Sequence, residues 1–454
     1  MAYHKFFEEE ELISQGLELQ GVPEEILHSE PLAESKFTVK SETGKFEKLK
    51  VTLHRDILAV SNTDGSVRYI NLSFLRSNYQ VEGNSSMKYR IDLMKFNQIL
   101  SLYTDKLDKV QKWMERLSKF CINHNFFKKY SVGEQIGQGA FGKVFKVCLE
   151  NDPTNVFAAK IFEKKSVKKM FKRLLVAEIQ VLQLLHHHNI IMIEEVHETS
   201  DQVIVVMELM NFGLLSDYIK DNPKLSYTII KEIMKQLLSG LAYMASMGVI
   251  HRDIKPNNIL IEKFEKNGID KIPIIKIADM GLACFEDKKQ IFEAAGTPGY
   301  MAPEVVLSGK LPEQEKLTSK LDIYSAGVIF YWLITKRSPF KTTDDIDVYK
   351  ANETGKIAYD SMYITKFSKL GVDLLKRMLE SRPKTRISSL EALNHPYFVE
   401  EDTVSLSSSN LVSLRQSTSP SKLIRKNETN RNPIEKSNFF PKPLIRKMRS
   451  KSFN

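Results

Sequence analysis

His251-Arg252-Asp253-Ile254-Lys255-Pro256-Asn257-Asn258 places a carboxylate, an ammonium and an amide within a few residues of one another. A β-branched run, Ile274-Ile275-Lys276-Ile277, then leads into Asp279-Met280-Gly281. Moving a phosphoryl group takes positioning and charge neutralisation more than covalent chemistry. Its minimum set is a base for the accepting hydroxyl, a second cation ligand and a carboxylate for Mg²⁺. Asp253, Asn258 and Asp279 are of those three types, in that order along the chain.

Upstream, Gly137-Gln138-Gly139-Ala140-Phe141-Gly142-Lys143-Val144 has the spacing G-x-G-x-x-G-x-V, flanked by the strand-like residues Val132, Ile136, Phe145 and Val147. A Rossmann turn shares the first part of that pattern, but a helix should open after it. Here a second β-like run follows instead and ends in Phe157-Ala158-Ala159-Lys160. With these motifs in this order, the chain resembles the eukaryotic protein kinase superfamily from about Tyr130 to Phe398.

The resemblance implies an α+β, bilobal fold with a β-rich N-lobe and a helical C-lobe, and ATP and Mg²⁺ as cosubstrate and cofactor. It implies that Ile136, Gly137, Gly139 and Gly142 lie over the nucleotide, since residues without side chains let backbone N–H groups approach phosphate. Val144 and Ala158 would sandwich the adenine, and the hinge Met207-Glu208-Leu209-Met210 would line its edge. Lys160 would pair the α/β-phosphates and Glu178, the latter on a helix whose apolar stripe is Val181, Leu182 and Leu185. Asp253 would take or orient the substrate hydroxyl proton, Lys255 would reach the transferred phosphate, and Asn258 and Asp279 would hold Mg²⁺. Gly296 to Glu304 is similar to the end of an activation segment, Asp322 to a helical anchor, and Arg386 to the arginine that pairs with Glu304. The rival is a kinase fold without catalysis. Such proteins typically lose the strand lysine or one of the two aspartates, whereas Lys160, Asp253 and Asp279 are all present here, so an active enzyme is expected.

Lys255-Pro256 and Thr297 before Pro298 resemble the serine/threonine class, and Asn394-His395-Pro396-Tyr397-Phe398 is similar to calmodulin-dependent and related kinases. Three departures stand out. Leu214 and Asn257 occupy positions where basophilic members carry carboxylates that grip an upstream arginine. Met280 replaces the usual phenylalanine and would fill its slot with a softer side chain. Glu293 lies four residues before Thr297, where a phosphosite is common, and no Ser or Thr occurs between Asp279 and Thr297. A fixed carboxylate bonded to Arg252 would then supply part of a phosphate's role, and activity without phosphorylation of this segment is expected.

At 454 residues the chain is long enough for two or three domains. Cys121, Cys148 and Cys284 are odd in number and far apart, which indicates neither a disulfide framework nor a zinc site and suits a reducing, cytoplasmic compartment. Phe6-Phe7 followed by Glu8 to Glu11 lacks the layout of a signal peptide, and no apolar run approaches the length of a membrane span. His186-His187-His188 has no further ligands at suitable spacing, so a metal reading of it is weak. The formal net charge is +10, and the excess gathers beyond Leu411, where eleven Lys and Arg face only Glu428 and Glu435. Residues 399–454 are therefore expected to be a disordered basic, Ser-rich tail: a docking arm for acidic surfaces, a set of phosphorylation sites, or merely a solvated end. Nucleic acid is not expected as a partner; protein substrates are.

Residues 1–35 are acidic and turn-rich and read as a flexible leader. From Lys36 short β-like runs appear: Phe37–Val39, Leu49–Leu53, Ile57–Val60, Val67–Leu72, Tyr89–Leu93 and Ile99–Leu102, punctuated at Glu42-Thr43-Gly44 and Asn62-Thr63-Asp64-Gly65. A helix closes the series, with Leu107, Val110, Met114, Leu117 and Cys121 as its apolar stripe and Trp113 at the edge. A small antiparallel β-barrel capped by such a helix resembles a pleckstrin-homology domain over residues 36–121; another small barrel is the alternative. The resemblance implies a phosphoinositide or acidic membrane surface as partner, through Lys40, Lys48 and Lys50, with Glu42 and Glu47 intruding among them, and hence a peripheral membrane location. Residues 122–129 are expected to be a linker between this module and a kinase-like region at 130–398.

Overall fold

The computed structural model describes residues 30–399 except 41–43, 55, 83–86, 96–97, 140–141, 167–168, 287–294, 308–317 and 341–344. The acidic leader up to residue 29, the tail from residue 400 and Glu293 lie outside the described residues.

The N-terminal module has seven strands, β1 (Ala33–Lys40), β2 (Phe46–His54), β3 (Ile57–Ser61), β4 (Val67–Asn71), β5 (Arg76–Val81), β6 (Tyr89–Lys95) and β7 (Gln98–Thr104), and one helix, α1 (Leu107–Leu117). Alternation drives the strands: Phe37 and Val39 are buried between the exposed Lys36 and Lys40. Val110, Trp113 and Leu117 of α1 are buried against the sheet, whereas Leu107 stays 40% exposed and drops out of the expected stripe. Trp113 meets Phe37 edge-on with ring centroids 5.2 Å apart, and its indole N–H donates to Ser35 Oγ at 3.1 Å. The strands pair in the order β4-β3-β2-β1-β7-β6-β5, and a further strand meets the outer edge of β5 at Arg76.

That strand corrects the linker reading of residues 122–129. Ile122–Asn123 forms β8, which lies parallel to β5 on one side and to β12 (Ile193–Glu198) on the other. Phe126–Lys129 forms a short helix, α2, with the Phe126 ring fully buried. The physical reason is composition: Ile122 and Phe126 are too apolar to cross solvent, and the neighbouring sheet edges offer unpaired backbone groups to β8.

Beyond it come β9 (Tyr130–Gln138), β10 (Lys143–Leu149), β11 (Asp152–Glu163), helix α3 (Lys169–Leu184), β12 and β13 (Gln202–Glu208). Directly opposite residues share a sheet face, so the pairs Val144↔Lys160, Ala158↔Met207 and Lys160↔Val205 put Val144, Ala158, Lys160 and Met207 on one side. The other face carries Val147, Ala159, Ile204 and Val206, capped by Phe126 and Tyr130.

The C-terminal lobe is mainly helical: α4 (Leu215–Asp221), α5 (Tyr227–Ser246), α6 (Pro303–Leu307), α7 (Lys320–Thr335), α8 (Asp345–Thr354), α9 (Met362–Thr365), α10 (Lys369–Met378) and α11 (Ser389–Leu393). Between α5 and α6 lie β14 (Val249–Ile250), the hairpin of β15 (Ile259–Asn267) with β16 (Asp270–Ile277), and β17 (Cys284–Phe285). The α7 helix is buried on nearly every side, which its all-round apolar sequence requires. Arg386, fully buried, grips Glu304 with two bonds of 2.6 and 2.9 Å and spends its other N–H groups on the carbonyls of Lys320, Ser381 and Glu380. Removing one partner of such a pair leaves a buried charge uncompensated. Arg386→Leu is therefore expected to cost about 3–5 kcal/mol, read as a lowered urea midpoint. An unchanged midpoint would mean that the pair adds nothing to the lobe.

Candidate active site

Lys160 reaches across the cleft face of the sheet to α3, where its Nζ lies 2.6 Å from Glu178 Oε1, and to Asp279 Oδ1 at 3.4 Å. Burial pushes the Glu178 carboxyl up, and the Lys160 ammonium opposes it. Asp279 is held below the usual carboxylate range, chiefly by Lys160, although burial works the other way. For Lys160 itself, burial favours the neutral form, but the charges of Glu178 and Asp279 outweigh it and raise the ammonium's pKa.

Below this pair, the catalytic loop is tied down by Asp322 at the start of α7. The Asp322 carboxylate accepts from the backbone N–H groups of His251 and Arg252, at 2.7 and 2.9 Å. These bonds hold Arg252 in the left-handed region, at φ 68°, and Asp279 has a similar φ of 62°. Such backbone costs about 1–3 kcal/mol per residue and persists only where the surroundings over-determine it. His251, fully buried, spans the two strained turns. Its Nε2 lies 3.0 Å from the Ala278 carbonyl and its Nδ1 accepts from Asp253 N–H at 3.2 Å, which fixes the Nε2–H tautomer.

Asp253 is the centre of a closed polar cluster. Its Oδ2 receives Lys255 Nζ at 2.7 Å and Asn258 Nδ2 at 3.0 Å, while its Oδ1 accepts the Thr297 hydroxyl at 2.6 Å. Lys255 Nζ also donates to Thr297 Oγ1 at 2.7 Å. Ala278 N–H donates to the Asn258 carbonyl at 2.8 Å, which ties the turn at Asp279 to the loop that carries Asp253. Because Asn258 spends its amide N–H₂ on Asp253, its oxygen is left as an acceptor; with the Asp279 carboxylate, that makes a hard, all-oxygen donor set suited to Mg²⁺. Met280 is fully buried.

The nucleotide side is equally explicit. Gly137 pairs across from Val144, and Gly139 N–H donates to the Gly142 carbonyl at 2.8 Å. A Cβ on Gly142 would stand 2.9 Å from the Ile161 carbonyl, so glycine is required there by close approach. Ile136 is 45% exposed above the cleft, and Ala158 is buried opposite Met207. The Glu208 carboxylate is engaged within the protein, by Lys276 Nζ at 2.9 Å and by Met192 N–H at 2.7 Å. The sequence reading had Thr297 as a class marker and missed its bonds to Asp253 and Lys255. The only signal was its place before Pro298. It missed Lys276 altogether, since an isolated lysine in a β run carries no pattern.

His186-His187-His188 is structural: the His187 ring stacks on Tyr243 at 5.2 Å and its Nδ1 accepts from Asn189 N–H. No group of three metal-binding side chains occurs among the described residues.

The family model described as a protein kinase domain matches residues 130–398. Similar proteins include calcium-dependent protein kinase 4 of Plasmodium berghei, 36% identical over 286 residues, covering 62% of this chain and 52% of that protein. Serine/threonine-protein kinase cds1 of Schizosaccharomyces pombe is 33% identical over 285 residues, 60% of this chain and 59% of its own length. Calcium/calmodulin-dependent protein kinase type 1 of Macrobrachium nipponense is 32% identical over 269 residues, 59% of this chain and 74% of its own. The chain thus spans about half the length of the first of these relatives.

Proposed function

The chain belongs to the protein kinase family, and from that membership we propose that it is a serine/threonine protein kinase that transfers the γ-phosphate of ATP to hydroxyl side chains of proteins. The observation that carries this reading is the closed Asp253–Lys255–Thr297–Asn258 cluster standing beside an intact Lys160–Glu178 pair. In the reaction, Asp253 orients the acceptor hydroxyl and takes its proton as the oxygen bonds to the γ-phosphorus and the bond to ADP breaks. Lys255 would follow the transferred phosphate, and Lys160, paired with Glu178, would hold the α/β-phosphates. Bound Mg²⁺, held by Asn258 and Asp279, supplies charge neutralisation.

For the module at residues 36–121 we infer a pleckstrin-homology-like role, recruitment of the kinase to anionic phosphoinositide surfaces from the cytoplasm. Register supports it: Lys36↔Lys50, Thr38↔Lys48 and Lys40↔Phe46 put four lysines on one outer face. Burial, and after it the charge of Lys106, push the Lys109 ammonium's pKa down, with Asp105 opposing them. Lys50 is partly offset by Glu34, at 2.9 Å.

Three outcomes are expected. In a radiolabelled-ATP assay, Asp279→Ala and Lys160→Met each lower transfer by about 10²-fold or more, and a full-rate Asp279→Ala enzyme would sink the catalytic reading. A peptide-library screen returns little or no selection for Arg three residues upstream of the acceptor, because Leu214 and the exposed Asn257 offer that guanidinium no carboxylate; a library dominated by that Arg refutes it. The full chain sediments with phosphoinositide-containing vesicles more than with neutral ones, and Lys40→Glu with Lys48→Glu abolishes the difference; equal sedimentation with both vesicle types rules the lipid role out.

A further inference from the structure

Two residues of the N-terminal module and its junction enter the kinase lobe rather than their own domain. Phe74 has a left-handed backbone, φ 62°, a conformation that is rare and strained for an aromatic residue. Its buried side chain belongs to the same hydrophobic cluster as Leu175, Ile179 and Leu182 of α3, and not to the cluster that forms the module's own core. Ile122 of β8 does the same. On the other side of the contact, Gln183 of α3 is 3% exposed, and its Nε2 donates to the backbone carbonyl of Phe120 at 2.9 Å. Gln183 lies one helical turn beyond Ile179 and just over one beyond Glu178, so its tether fixes the rotation and height of the turn that presents Glu178.

That presentation is energetically demanding. Glu178 is 6% exposed and burial disfavours its ionised form, so the bond to Lys160 depends on α3 being held close. The adjoining strand β12 is clamped from the same side: Ser118 Oγ donates to Glu195 at 2.9 Å, Arg76 reaches Glu198 at 3.4 Å, and Asn123 Nδ2 donates to the Val196 carbonyl at 3.3 Å. We propose that the N-terminal module is a built-in brace for α3, with Phe74 and Gln183 as positioning residues that hold Glu178 against Lys160. The module then sets the nucleotide-binding competence of the lobe, apart from any recruiting role.

The proposal rests on the kinase reading, and the test separates the two. Gln183→Leu keeps volume and loses the donor; Phe74→Leu keeps an apolar side chain and shortens it. Each is made in the full chain, in the wild-type and in the Glu178→Gln background, and ATP affinity, kcat/KM for ATP and amide exchange over residues 175–184 are measured. In the wild-type background each substitution is expected to weaken ATP affinity and kcat/KM by about three- to tenfold, the order of one buried hydrogen bond for Gln183→Leu and of a shortened buried side chain for Phe74→Leu, and to speed exchange in α3. In the Glu178→Gln background the same substitution changes affinity by less than about twofold, because the group it positions is already gone. An equal loss in both backgrounds, or no loss in the wild type, overturns the brace. If one variant does not fold, the cycle of the other decides. A wild-type chain that binds ATP but transfers no phosphate, with α3 exchange still responding, would fail the kinase reading and leave the brace standing.

Discussion

The bond between Lys160 and Glu178 is the contact on which the rest of the arrangement depends. A buried carboxylate is costly unless it is paired, and removing either partner from such a pair typically costs about 3–5 kcal/mol. Meeting that constraint places three elements at once. Strand β11 must present Lys160 toward the cleft, which its register with β13 ensures by putting Ala158 beside Met207 two residues earlier. Helix α3 must lie close over that face. Asp279 must approach from below, where its charge adds to that of Glu178 in keeping Lys160 an ammonium.

Strain is concentrated beneath this pair and is matched by bonds that tolerate little movement. Arg252 and Asp279 both have positive φ, and each lies within one of the two motifs that carry the chemistry. Asp322 anchors the first through two backbone N–H groups, and His251 bridges to the second through Ala278. Charge-assisted bonds of this kind are roughly twice as strong as neutral ones. Because Asp322 begins α7, the most thoroughly buried helix, the geometry of the cleft is referred to the rigid centre of the lobe.

Motif spacing made the cleft legible before any coordinates, because a phosphate-binding turn, a strand lysine and two aspartates each depend on a few neighbouring residues. Contacts made across the fold left no such trace. Arg76–Val81 escaped the strand reading because Arg-Ser-Asn-Tyr-Gln-Val has little apolar alternation; it is a strand because β6 and β8 pair with it. Residues 122–129 read as a linker for the same reason. Two residues of strand are not stable alone, and Phe126 reveals its role only once Tyr130 and the outer sheet face are beside it. The Glu208 carboxylate pairs with Lys276, 68 positions away in the chain, a contact that no local pattern announces.

The junction between module and lobe is polar as well as apolar, and its polarity bears on how firmly α3 and β12 are held. Glu195, 5% exposed, accepts from Ser118, Lys129, Tyr130 and His197. Burial by itself would raise its pKa, but the His197 hydrogen bond and the Lys129 charge outweigh burial and bring it down to about 2 from 4.5. A carboxylate depressed in this way contributes stability above its unfolded pKa and loses it only as pH falls toward the folded value. The contribution of Glu195 to the junction is therefore present throughout the neutral range and is lost only as pH falls from about 4.5 toward about 2. Domain interfaces that are small and polar usually permit relative motion. This one combines a fully satisfied carboxylate with a shared sheet and the buried rings of Phe74 and Phe126, so the module and the N-lobe are held as one continuous sheet rather than as tethered neighbours.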